Sequence, residues 1–348
     1  MRYILLLSVF LLTVISATSQ AEANWLYGWQ YRKSHALNSA AGAGTGYQIP
    51  ITIYYGAGTD SAGNVYISGK GNPDFSDIRF TDDDGITGLS YWLESKTDGN
   101  NALFWVKVND DLGSDQNIYV YYSGRPCPPE SDGAATFDFF DDFSGDLSKW
   151  TKHKDGAVIS IVNGYCDIQK GTVFTYGHAV LGSSATYSGL QNGIVQGKVY
   201  LGTEAIVEIS YRGNFAGNTG YKARIEGRDN NDGVSHLKRP YTDGSWNFIS
   251  GDSTGNITKS AWLDFALTVS GTSFTVSCDG RTHNVSDTDY AGPGEISLQQ
   301  HYGNYARFDD IRVRKYVNPQ PSHGAWQQEE EMNKAMISGV QMIGVTFK

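Results

Sequence analysis

Apolar and polar residues alternate along most of this chain with a period of two. QIPITIYY (48–55), DIRFTD (77–82), SYWLES (90–95), ALFWVKV (102–108) and NIYVYY (117–122) all follow it. Successive side chains of an extended backbone point to opposite faces, so each stretch predicts a strand with one buried and one wet face. Clusters of Gly, Asp and Asn, such as DDDG (82–85) and TDGNN (97–101), mark turns between them. The pattern resumes in GIVQGKVYL, AIVEISYR, YKARIEGR, DFALTVSG, FTVSCDG, GEISLQQ and RFDDIRVRKYV. DFALTVSGTSFTVSCDG predicts a hairpin turning at Ser270-Gly271-Thr272, with a second turn at Asp279-Gly280. Short strands with turn signals at this spacing predict sandwiches or barrels, and no amphipathic helix is expected before residue 330.

The segment SGRPCPPESDG (123–133) concentrates proline, glycine and serine and would break any strand ladder. The expected architecture is therefore all-β, with two β-sandwich domains in tandem. They would span residues 24–126 and 137–318, with a linker at 127–136 and a C-terminal tail at 319–348. The period of NWLYGWQYRKSH (24–35) places Trp25, Tyr27, Trp29 and Tyr31 on one face of a strand. Aromatics in strands are usually buried, so that row reads as core wall in preference to a ligand platform.

The first 23 residues change the picture of where the protein works. Arg2, the apolar run Ile4 to Ile15 and Ala21-Glu22-Ala23 form the three regions of a signal peptide, and cleavage is expected after Ala23. The run is about 12 residues, against the ~20 needed to span a bilayer. The 348-residue chain has a formal net charge of −10, so no nucleic-acid or anionic-membrane partner is expected. Its three cysteines exclude a disulfide-dense scaffold. Cys166 and Cys278 read as separate buried thiols, with a bridge as the alternative in an exported chain. Asn256-Ile257-Thr258 and Asn284-Val285-Ser286 fit the glycan-acceptor pattern.

WQYRKSHAL, DIRFTDDDGITGLSYWLES, NALFWVKV and NIYVYYSG resemble the module DUF2341, a domain of unknown function found in exported, multi-domain surface proteins. FFDDFSGDLSKW, WLDFALTVSGTSFTVSCDG and GEISLQQHYGNYARFDDIRVRKY resemble a concanavalin A-like (laminin-G-type) jelly roll. That second resemblance implies a paired first and last strand, carbohydrate bound on a concave sheet, and a structural calcium. If those strands meet, Asp141-Asp142 approach Asp309-Asp310, and converging carboxylates need a cation such as calcium, the expected cofactor.

Three further groups of residues could carry chemistry. Alternation places Glu208, Arg224, Gln299 and His301 on the polar side of the inner sheet, near a loop with Tyr241 and Trp246. Planar polar groups hold sugar hydroxyls and an indole stacks on a sugar's apolar face, so these six residues form the expected glycan site. Glu204 and Glu208 lie on the same strand, but Ile206 between them is not the aspartate that tunes such pairs in glycosidases of this fold. Four strand residues also separate them by ~13 Å, beyond the ~5–9.5 Å of glycosidase pairs. No hydrolase activity is therefore expected. Residues 332–348 are too short to span a bilayer and read as a linker stub, an edge-covering strand or a strand lent in self-assembly. The sequence thus predicts a secreted or cell-surface, non-catalytic protein that binds glycan through its second domain. A structural subunit of a surface layer or filament and a divergent glycoside hydrolase are the rival readings.

Overall fold

The computed structural model describes residues 24–154, 157–169, 179–182, 189–214, 219–228, 233–239, 247–249 and 253–332. Among them, the first seven strands are β1 (Tyr31–Asn38), β2 (Tyr47–Tyr54), β3 (Asn64–Tyr66), β4 (Arg79–Thr81), β5 (Tyr91–Thr97), β6 (Asn101–Val108) and β7 (Gln116–Tyr122). One sheet carries β1, β7 and β4 in that order, and the other carries β3, β2, β6 and β5. The alternation in the sequence decides which side chains meet between them. Ile49, Ile51 and Ile53 of β2, with Phe104 and Val106 of the neighbouring β6, share one buried cluster with Ile118 and Val120 of β7 in the other sheet.

The linker holds a single helical turn, α1 (Gly133–Thr136), which the sequence pattern did not predict. Asp132 caps it by accepting from the Ala135 amide at 3.0 Å. Next come β8 (Phe139–Asp141), β9 (Thr151–Lys154), β10 (Val158–Val162), β11 (Tyr165–Gln169), β12 (Ala179–Gly182) and β13 (Gly193–Leu201). The middle of the chain forms β14 (Ile206–Asn214), β15 (Thr219–Glu226), β16 (Gly233–Arg239), β17 (Asn247–Phe248) and β18 (Ser253–Thr254). Then follow β19 (Trp262–Ser270), β20 (Ser273–Cys278), β21 (Arg281–Ser286), β22 (Glu295–Tyr302), β23 (Tyr305–Arg314), β24 (Ser322–Trp326) and β25 (Glu330–Glu331).

Two eight-stranded antiparallel sheets make the second, jelly-roll sandwich. The outer one runs β10-β11-β23-β13-β19-β20-β21, with β8 paired to β23. The inner one runs β17-β16-β15-β14-β22-β12-β9, with β18 paired to β16. Val207, Ile209, Ile225 and Leu298 of the inner sheet pack on Val195, Val199, Leu267 and Phe308 of the outer one. The predicted hairpin is present: Ser270 pairs Ser273, and Gly271 turns with φ +56°. The turn between β20 and β21 has positive φ at both Asp279 and Gly280, the geometry that matches strand twist. Cys166 and Cys278 are buried as separate thiols.

Two segments depart from the sequence expectation. Trp25 to Gln30 are not part of β1; they form a turn in which the Trp29 amide donates to the Leu26 carbonyl. The four rings therefore go separate ways. Trp25 packs edge-on to Tyr121, and Trp29 donates its indole N–H to the Asp77 carbonyl at 2.7 Å. Tyr31 stacks on Tyr122, and Tyr27 is 86% exposed. Residues 322–331 do not project as a tail: β24 and β25 both pair with β1 of the first sandwich. Residues 333–348, which hold most of the proposed exchange strand, lie outside the described residues, as does the leader.

The sandwiches meet through Trp92, Trp105, Phe137 and Phe140, a small aromatic cluster of its own. Arg312 of β23 lies over Trp92 and ion-pairs with Glu94 at 2.5 Å.

Candidate ligand-binding surfaces

The inner sheet brings Glu208 directly opposite both Arg224 and Gln299 in the strand register. Alternation thus places them together as expected, on the side away from the core. Glu208 accepts from Arg224 Nε at 3.1 Å and Nη2 at 2.7 Å, and its other oxygen takes the Lys222 ammonium. Lys222 also donates to Gln299 Oε1 at 2.6 Å, and Gln299 Nε2 donates to Ser210 and Ser297. Burial pushes the Glu208 carboxyl up, but the charges of Lys222, Arg224 and His301 outweigh it and hold it well below the usual carboxylate range.

This corrects the expected wet hollow. Glu208 and Gln299 have no exposed surface, Arg224 has 5% and His301 has 8%. Both carboxylate oxygens of Glu208 are engaged by internal cations, and the group has no exposed surface to offer a sugar hydroxyl. Tyr241 and Trp246 lie outside the described residues.

The aspartates at the strand seam come near one another, since the charges of both Asp310 and Asp142 act on Asp309. β8 does pair with β23, with Asp141 opposite Ile311. Yet Asp141 accepts from the Trp150 indole at 2.5 Å and from Lys149 at 3.1 Å, while Asp310 binds Lys198 at 2.5 Å. Asp142 caps the Ser144 amide, and Asp309 accepts from the Asp310 amide. Burial, then the Asp310 charge, pushes Asp309 up to about 6. Two of the four carboxylates have lysine partners. Among the described residues, the acidic group that converges is Asp82, Asp83 and Asp110, with ligand atoms within 4.8 Å of one another.

Glu204 lies before β14 with φ +57°, outside the regular strand that carries Glu208. The two glutamates therefore do not form a facing pair on one strand.

The surface that alternation did not single out is the outer sheet's exposed side. Arg307 of β23 stands opposite Asp167 of β11 and Tyr200 of β13, and Tyr200 stands opposite Trp262 of β19. The guanidinium is tied to Asp167 at 2.9 Å. It lies 5.1 Å from the ring centres of Tyr165 and Tyr200 and 4.7 Å from that of Tyr305. Trp262, 39% exposed, meets both Tyr165 and Tyr200 edge-on, and Tyr200 stacks on Tyr305. Three tyrosines thus surround one fixed cation, and Trp262 extends the aromatic row to a fourth adjacent strand. The signal was in the sequence: each of these rings occupies a polar-parity position, out of phase with the core.

The family described as domain of unknown function DUF2341 matches residues 74–153. That stretch is similar to the family's model. It runs from just before β4 to β9, across the linker rather than up to it. Several solved structures are similar to about half of the chain. A carbohydrate-binding module, CBM66 from Bacillus subtilis, is 15% identical, with 48% of this chain and 96% of that chain covered and a TM-score of 0.39. A β-glucanase from Bacillus licheniformis is 15% identical, covering 51% and 98%, with a TM-score of 0.38. The laminarinase catalytic domain from Thermotoga maritima is 14% identical, covering 52% and 98%, with a TM-score of 0.40. No curated protein matches the sequence.

Proposed function

We propose that this is an exported, non-catalytic protein that binds neutral glycan on the outer face of its jelly-roll sandwich. The observation that carries this reading is the row Arg307, Tyr200 and Trp262, flanked by Tyr165 and Tyr305. A solvated sheet face ordinarily presents polar side chains, whereas a contiguous aromatic patch, here one exposed indole and three half-buried phenols, marks a binding surface. Aromatic faces cover the apolar C–H faces of pyranose rings, and an anchored guanidinium donates to their hydroxyls. Because Asp167 and the surrounding rings fix Arg307, little side-chain entropy is lost when a ligand arrives. The leader MRYILLLSVFLLTVISATSQAEA supports export. The full engagement of Glu208 by Lys222 and Arg224 supports a non-catalytic role.

Affinity electrophoresis in gels containing neutral polysaccharides tests the reading. The wild type is expected to be retarded by at least one of them. Trp262→Ala should weaken that binding roughly tenfold, since one stacked ring contributes about 1–1.5 kcal/mol. Retardation unchanged in Trp262→Ala, or absent for the wild type in every gel, would abandon the outer face.

A further inference from the structure

A second site stands apart from the aromatic face, where the two sandwiches meet. A cavity of about 430 Å³ opens between β2, the end of β23 and the segment leading into β24. Tyr47, Trp105, Arg314, Gln320, Pro321 and His323 are among the residues that line it. Arg314 is 8% exposed, and its contacts are all neutral. Nε donates to Gln196 Oε1 at 2.8 Å, and Nη1 donates to Gln320 Oε1 at 3.0 Å and to the Lys315 carbonyl at 3.4 Å. The Tyr47 phenol is a further neutral hydrogen-bond partner of the guanidinium, so an incoming carboxylate competes with neutral groups only.

Among the described residues, no carboxylate ion-pairs with Arg314. Other buried cations of the chain do have one: Arg32 has Glu330, Arg79 has Glu130, Arg224 has Glu208 and Arg312 has Glu94. Arg212 also lacks one, but its Nε and Nη2 both close onto the Gln191 carbonyl. A buried guanidinium without an anion is costly, and its planar fork matches a carboxylate. Lys107 and Lys315 both lie near Gly46 and both act on the Asp138 carboxyl, so with Arg314 this corner holds three cations against that one anion, in a chain of net charge −10.

The rest of the lining suits a ring that carries the anion. The Trp105 indole lies 4.9 Å from the guanidinium, and Pro50 and Pro321 supply further apolar wall. The Tyr47 phenol, the Gln320 amide and the His323 imidazole offer partners for hydroxyl groups. We propose that this junction cavity binds an acidic sugar, a uronic acid, with its carboxylate on Arg314 and its ring against Trp105. This site is independent of the outer aromatic face.

The test is a calorimetric titration of the full chain with trimers of galacturonate and of mannuronate, each as free acid and as methyl ester. Esterification removes the charge and keeps the ring. At least one free acid is expected to bind, with its ester roughly tenfold or more weaker, the loss expected for one charge-assisted hydrogen bond. Arg314→Gln should lower affinity for the acid to the level of the ester, and Gln320→Ala should weaken it severalfold. Trp262→Ala should leave it unchanged, which separates this site from the outer face. Should Arg314→Gln fail to fold, the Gln320→Ala result and the acid-to-ester ratio decide. Absence of binding by both acids, equal binding of acid and ester, wild-type affinity in Arg314→Gln, or displacement of the sugar by equimolar phosphate would overturn the proposal.

Discussion

Glu208 shows how a residue of the right type in the right strand position can be withdrawn from ligand chemistry. With no exposed surface, its ionised carboxylate is tolerated only because Lys222 and Arg224 neutralise it, and Gln299 satisfies a second lysine donor. The network is structural, and its removal has a calculable sign. Glu208→Gln leaves two cations buried beside each other with no shared anion. We expect a loss of about 3 kcal/mol in unfolding free energy, read from urea denaturation of the variant against wild type. A variant as stable as the wild type would mean that water reaches this face. Arg314 is the converse case, a cation without an anion among the described residues, and burial brings its guanidinium down to about 10.

Among the strands, β1 shows how the ends of the chain are used. It lies between β7 and the returning segments β24 and β25, so its outer edge is paired along much of its length. Trp326 seals that pairing. Its ring stacks on His35 at 3.9 Å, and its indole N–H donates to the Ala62 carbonyl at 2.8 Å. An uncovered strand edge is a template for another chain. Ending the chain at residue 319 should therefore produce concentration-dependent association beyond that of the full chain, measured by light scattering. The point variant Trp326→Ala should lower stability by about 2 kcal/mol without changing mass, since the ring is only partly buried. A truncated chain that associates no more than the full chain would show that β1 needs no cover.

For the molecule as a whole, both sandwiches bury neutral histidine, and acid should act on both. Burial, aided by His323, lowers His35 from 6.5 to about 3, and burial, aided by His283, does the same for His236. The unfolded chain takes up these protons near pH 6.5, while the folded one holds them off until about pH 3. The folded state is therefore progressively disfavoured as pH falls through that window. Each histidine contributes a slope of up to about 1.4 kcal/mol per pH unit. Denaturation at pH 7, 6, 5 and 4 should show the decline, and His236→Phe should make it shallower. A decline equally steep in that variant would assign the acid sensitivity to carboxylates alone.

Alternation by itself determined that this chain is a set of half-buried strands, because a period of two allows one extended geometry and forces Ile49, Ile51 and Ile53 to one side. It also determined the hairpin at Gly271 and the turn at Asp279-Gly280, where short-range sterics decide. It placed Glu208, Arg224 and Gln299 on a common face but was silent on whether water reaches it, since that depends on what lies across the sheet. It could not show that residues 322–331 return to β1 or that Arg314 meets Trp105, because those contacts join residues some 200 to 300 positions apart. Which polar residues are spent on internal ion pairs, and which remain open to a ligand, was decided only when the tertiary structure set each charge beside its neighbours.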